Sequence, residues 1–134
     1  MVMGRINTTA IAVKIAADIS HQYFSDETDG PQWRISDIMD FIQKTGINYS
    51  PIDIGILAKM TKGMKLDEKP GSEEFKERRD KSDLTFPIIV VRYPDGSMLI
   101  ADGNHRLAKA KHEKYDKING YIIERSDLDL LPSR

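Results

Sequence analysis

The chain has 134 residues, enough for one domain with a core of useful size and too few for two independent ones. Its 20 basic and 21 acidic residues leave a formal charge of −1, so no global field draws it to nucleic acid. There is no cysteine, which excludes disulfides and thiolate metal sites and agrees with a reducing compartment. No apolar run approaches membrane-spanning length, and Met1-Val2-Met3-Gly4-Arg5 lacks the apolar stretch of a signal peptide. The expectation is a soluble cytoplasmic protein with no membrane partner, folded as a single domain over 1–134.

In chain order, the first predicted element is a helix capped by Thr8 or Thr9. Ile11, Ile15, Ile19 and Tyr23 recur every four residues along one face of it. Residues 25–31 are rich in Asp and Gly and predict a loop. Ser36 is the expected cap of a second short helix carrying Ile38, Met39, Phe41 and Ile42 and ending near Gly46. The part spanning 1–46 is thus expected to be helical and to pack on a sheet.

Between Ile47 and Leu57, alternating isoleucines predict extended structure, with Pro51 favouring an edge or a bulge. Asp53 lies off the apolar set, facing water or, as a second carboxylate, a binding site. From Thr61 to Asp83 the charges nearly cancel, and Pro70-Gly71 divides a Lys-rich loop from a helix starting after Ser72. Glu73 and Glu74 suit its first turn, and Lys76, Arg78, Arg79 and Lys81 its later part.

The most informative stretch follows. Phe86-Pro87-Ile88-Ile89-Val90-Val91-Arg92 predicts a buried strand, Tyr93-Pro94-Asp95-Gly96 a turn, and Ser97-Met98-Leu99-Ile100-Ala101 the returning strand. This hairpin delivers Asp102-Gly103-Asn104-His105-Arg106 to the start of a helix running to about Tyr115. The first amides of a helix have no partner within it and carry partial positive charge, so this turn suits a phosphate. Gly103 lets a backbone come close, Arg106 offers a planar cationic fork, and His105 adds a donor. Asp102 beside such a site holds Mg²⁺, pairs with Arg106, or accepts a proton from an attacking hydroxyl. A plain structural reading suits the same residues: Asp102 or Asn104 caps the helix and the rest is solvated.

Phe86-Pro87-Ile88-Ile89-Val90, the hairpin, Asp102 to Ala110, the closing Asn119-Gly120-Tyr121-Ile122-Ile123 and Asp127-Leu128-Asp129-Leu130-Leu131 resemble the ParB/sulfiredoxin superfamily over about residues 84–131. The resemblance implies an α+β fold. Its core over 47–134 would be a small mixed sheet with the hairpin followed by a phosphate-binding helix, and the N-terminal helices would pack on it. It also implies that Gly103, Asn104, His105 and Arg106 hold the phosphates of a nucleoside di- or triphosphate with Mg²⁺, and that a preceding helix adds cations from Lys76 or Arg79. Sulfiredoxins carry a catalytic cysteine where this chain has Asn104, so thiolate-based sulfinic acid reduction is excluded. Partition proteins have Gly-Glu-Arg-Arg at the turn and continue into a helix-turn-helix domain. The Asp-Gly-x-x-Arg form is most similar to the free-serine kinase branch and to ParB-like nucleases, in which the aspartate belongs to the active site.

The leading expectation is therefore an ATP-type nucleotide-dependent phosphotransferase or nucleotide hydrolase, with Asp102 and His105 as catalytic residues and Asp102 as the Mg²⁺ ligand. The alternatives are a metal-dependent nuclease acting at the same turn and a non-catalytic module whose nucleotide fixes a conformation or a protein contact. DNA remains an expected partner under the nuclease reading, although the charge balance does not favour it. His105 and His112 are about 10 Å apart along a helix axis, too far to share a metal. There is no Gly-x-x-x-x-Gly-Lys-Ser/Thr loop for an ordinary P-loop mechanism.

Overall fold

A computed structural model describes residues 22–60, 77 and 79–134. Over these the chain is α+β, with a two-stranded and a four-stranded sheet. The two-stranded sheet pairs β1 (Tyr23–Phe24) with β2 (Trp33–Arg34). Next come α1 (Ile35–Thr45), β3 (Ser50–Asp53) and α2 (Ile54–Met60). The hairpin of β4 (Ile88–Arg92) and β5 (Met98–Asp102) leads into α3 (Asn104–His112), followed by β6 (Lys117–Glu124) and a 3₁₀ turn at Arg125–Leu130.

The four-stranded sheet is mixed, in the order β3-β6-β4-β5. β6 runs parallel to β4, while β3 and β5 pair antiparallel at the two edges. β4 is central, and its residues Ile88, Ile89, Val90 and Val91 are fully buried. A strand covered on both faces reads as a continuous apolar run, as the Ile-Ile-Val-Val sequence does. Alternate residues divide between two cores. Ile89, Val91 and Ile123 pack with Ile35, Ile38 and Ile42 of α1, and Ile88, Val90 and Ile118 with Ile54 and Leu57 of α2 and Leu107 and Ala110 of α3.

Several elements depart from the sequence expectation. Tyr23 belongs to β1, not to a helix face; the rest of the predicted first helix lies outside the described residues, as do Lys76 and the loop at 61–65. The part up to residue 46 is thus not wholly helical. Ser36 is not the cap of α1: the helix starts at Ile35, its N-cap is Arg34, and no side chain caps it. The backbone satisfies the first amide of the helix instead, since the Ile35 N–H donates to the Gln22 carbonyl at 3.0 Å. The C-terminal end is as predicted, with Gly46 in the left-handed conformation at φ 74°.

Extended structure does not continue to Leu57. It stops at Asp53, whose Oδ1 accepts the Ile56 N–H at 2.9 Å and so caps α2. Ile54 and Leu57, three residues apart, are then buried together on one helical face. α3 ends at His112 rather than Tyr115.

Candidate functional site

The turn between β5 and α3 is built from the hairpin upward. Gly96 N–H donates to the Tyr93 carbonyl at 2.9 Å, which closes the predicted turn and sets the register that returns β5 along β4. Asp102, the last residue of β5, stands opposite Ile89, with a register irregularity between Ile89 and Val90. The chain then reverses at Gly103, with φ 108°. A Cβ there would lie 2.4 Å from Ile88 Cγ2, so both the dihedral and the space require glycine.

Gly103, not Asp102 or Asn104, is the N-cap of α3, and no side chain caps the helix. The Leu107 N–H donates to the Gly103 carbonyl at 2.9 Å, and the amides ahead of it precede the helix's own hydrogen-bond ladder. Asn104 is exposed at this end and His105 is half-buried in the first turn.

Asp102 is spent on Arg106. Its Oδ2 accepts from Arg106 Nη2 at 2.7 Å, and the two side chains are 17% and 18% exposed. Arg106 Nε is buried and has no hydrogen-bond partner among the described residues. Nε is thus shielded from an incoming acceptor, and only the exposed part of the guanidinium, one corner of which is fixed by the carboxylate, can meet one. The arrangement is a half-buried cation beside a helix start, which suits a phosphate or another small anion.

The other sequence candidates fall in different places. Asp53 ends β3, at the edge of the sheet opposite β5; three strand spacings separate those edges, about 14 Å. With its carboxylate on the α2 cap, Asp53 is not brought to the turn. Arg79 lies in a helical stretch at 79–81, 17% exposed at its side chain, and its Nε donates to Asp80 at 3.1 Å. That stretch does approach α3, because Lys109 Nζ donates to the carbonyls of Ser82 at 2.7 Å and Asp80 at 3.2 Å.

Two residues near the turn carry no local sequence signal for a site. Lys109 reads in the sequence as one of several helix cations and Asp83 as the end of a charge run; their partners are 27 to 29 residues away or in an irregular loop. The Asp83 Oδ1 accepts from the Thr85 hydroxyl at 2.6 Å and amide at 2.9 Å. These donors, helped by the charges of Lys109 and Arg106, hold the Asp83 carboxyl below its ordinary range.

A second polar cluster occupies the opposite end of the sheet. Asp26 Oδ2 accepts from the Tyr93 hydroxyl at 2.6 Å and from Arg125 Nε at 2.7 Å. Arg125 also stacks over Trp33, 4.8 Å from the ring centroid, and reaches Asp129 at 3.0 Å. Burial would raise the Asp26 pKa, but the Tyr93 and Arg125 donors outweigh it and lower it. Burial, with Asp26 beside it, pushes the Tyr93 hydroxyl up. This cluster ties the β1–β2 segment to the ends of β4 and β6.

Among the described residues no group of three or more His, Cys, Asp or Glu gathers as a metal site, and no helix is long and apolar enough to cross a membrane. Asp102 offers one carboxylate at the turn. That fits Mg²⁺ brought in by phosphates, which takes one or two protein carboxylates and fills its octahedron with phosphate oxygens and water. It does not fit a resident cation held by protein alone. No family model matches the chain, and no curated protein matches it.

Proposed function

We propose that the chain is a ParB/sulfiredoxin-like nucleotide-binding protein that seats phosphates at Asp102-Gly103-Asn104-His105-Arg106 and transfers or hydrolyses a phosphoryl group there. The observation that carries this reading is the turn itself. Gly103 brings the backbone against Ile88 at a positive φ, α3 starts without a side-chain cap, and the partly exposed Arg106 guanidinium stands in the first turn of the helix. The hairpin that feeds a helix from a mixed sheet supports the same reading.

In this reading the amides of the first turn of α3 and Arg106 hold the phosphate oxygens and oppose charge that develops on them. His105 stands in the same turn as a further donor. Asp102 fixes the Arg106 fork and orients the attacking group or a metal-bound water. Mg²⁺, when bound with the nucleotide, neutralises phosphate charge.

The test is a thermal-shift screen of ATP, ADP, CTP and GTP with Mg²⁺. A ligand held at 100 times its Kd stabilises the fold by about 2.7 kcal/mol, a shift of several degrees. Arg106→Ala is expected to abolish that shift. No shift with any of the four nucleotides overturns the reading. Phosphate release or a phosphorylated product that is lost in Asp102→Asn, while binding survives, separates an enzyme from a module that only binds.

A further inference from the structure

Arg79, Arg92, Arg106 and Arg125 are each ion-paired with a carboxylate, those of Asp80, Glu124, Asp102 and Asp26 in turn. Arg34 and Arg134 have no carboxylate partner among the described residues, and both lie against the ring of Tyr23. The guanidinium carbon of Arg134 is 4.9 Å from the ring centroid and that of Arg34 is 6.0 Å from it. Arg134 Nη1 also donates to the Tyr23 hydroxyl at 2.6 Å.

Strand pairing produces this convergence. Tyr23 stands opposite Arg34 in the β1–β2 pair, and Phe24 opposite Trp33. Side chains alternate between the two faces of a strand, so Phe24 and Trp33 turn inward, stacked at 6.2 Å and buried, while Tyr23 and Arg34 turn outward. Gln32 and Arg134 exchange both backbone hydrogen bonds, at 3.2 and 2.9 Å. That is the antiparallel pattern, and it sets Arg134 on the same outer face as Arg34. The hydrogen bond from Arg134, with the charges of both arginines, holds the Tyr23 hydroxyl below its ordinary range. Like charges gathered at one ring repel, and an anion between them relieves the repulsion. A guanidinium that spends one donor keeps others, so Arg134 can hold the phenol and an oxyanion together.

We infer that the outer face of the β1–β2 pair is an oxyanion site, in which Arg34 and Arg134 bridge a phosphate group beside the Tyr23 ring. The site is independent of the Asp102–Arg106 turn. Its phosphate could come from the free ion or from a phosphate monoester, and two probes separate these sources.

The full chain, carrying ¹³C in its tyrosine rings, is titrated with inorganic phosphate and with phenyl phosphate and followed by NMR, with Tyr23→Phe assigning the Tyr23 signal. A saturable shift of that signal is expected. Arg34→Gln and Arg134→Gln should each weaken the Kd about threefold or more, the scale of one solvent-exposed charged contact, and added salt should weaken it further. Arg92→Gln removes an exposed arginine paired with Glu124 and should leave the Kd unchanged. Saturation by both probes supports a site for the free anion, and saturation by phenyl phosphate alone supports one for phosphate monoesters. A Tyr23 signal that saturates with neither probe overturns the site. Equal weakening in Arg34→Gln and Arg92→Gln overturns it too, because the response would then report overall charge.

Discussion

The Asp102 carboxylate and the Arg106 guanidinium meet at 2.7 Å across the β5–α3 turn, each side chain more than four-fifths buried. The pair links the end of β5 to the first turn of α3, and under the phosphate reading the same guanidinium would also meet the anion. Arg106→Ala leaves the largely buried Asp102 carboxylate without its partner. The expected cost is about 1–3 kcal/mol of stability by urea unfolding, since a group hydrogen-bonded to a charge is left unsatisfied. Asp102→Asn keeps an acceptor for Arg106 and should cost less than Arg106→Ala in the same assay.

Gly103→Ala combines a forbidden dihedral with a clash against a buried strand. At φ 108° an L side chain is strained, and the added methyl would lie 2.4 Å from Ile88 Cγ2. A loss of about 2 kcal/mol or more is expected. Pairing the change with Ile88→Val should recover little, because a valine keeps a γ carbon in place and the dihedral strain is untouched. Full recovery in the double variant would mean that the dihedral contributes nothing.

Capping separates two residues that look alike in sequence. Asp53→Ala removes the acceptor of the Ile56 N–H and is expected to cost about 0.5–2 kcal/mol. Ser36→Ala, inside α1 rather than at its start, should stay within about 0.5 kcal/mol of wild type. Reversal of that order in denaturation experiments would place the caps wrongly.

The Asp26 cluster predicts an acid dependence with a definite sign. Its folded pKa lies below the ordinary value of 3.8, so the folded state holds its carboxylate more readily ionised than the unfolded chain does. The resulting stabilisation is present in full above the unfolded value and is lost as pH falls through the folded one. The stability gap between wild type and Asp26→Asn should therefore be constant near neutrality and close below about pH 4. A gap that stays open under acid would remove Asp26 as its source.

The parts of the fold written in short-range chemistry were legible in the sequence. The Tyr93–Gly96 turn, the hairpin around it, Gly46 at the end of α1 and the start of α3 at Asn104 all rest on neighbours within a few residues. Pro51 on an edge strand also follows from local chemistry, since proline lacks an amide to share with a second neighbour. What failed depended on distant partners. α1 begins two residues earlier than a Ser36 cap would place it, with its first amide held by the distant Gln22 carbonyl, and Tyr23 joins a strand because Arg34 lies opposite it. At the site, the Asp102–Arg106 pair has helical spacing and was among the pairings weighed for the turn. Asp83 and Lys109 were not legible, because a loop 20 or more residues upstream folds back onto α3. The Asp26–Arg125 bond spans 99 residues and has no periodicity to announce it.

Ile88 gives the turn its foundation. It is fully buried at the head of the central strand, and Gly103 rests directly against its side chain. Under the phosphate reading, this part of the receptor is built before the ligand arrives, and the ordering cost of the turn itself is met when the core folds. The turn's own share of the binding heat-capacity change should therefore be small, set by the few apolar groups the ligand covers there.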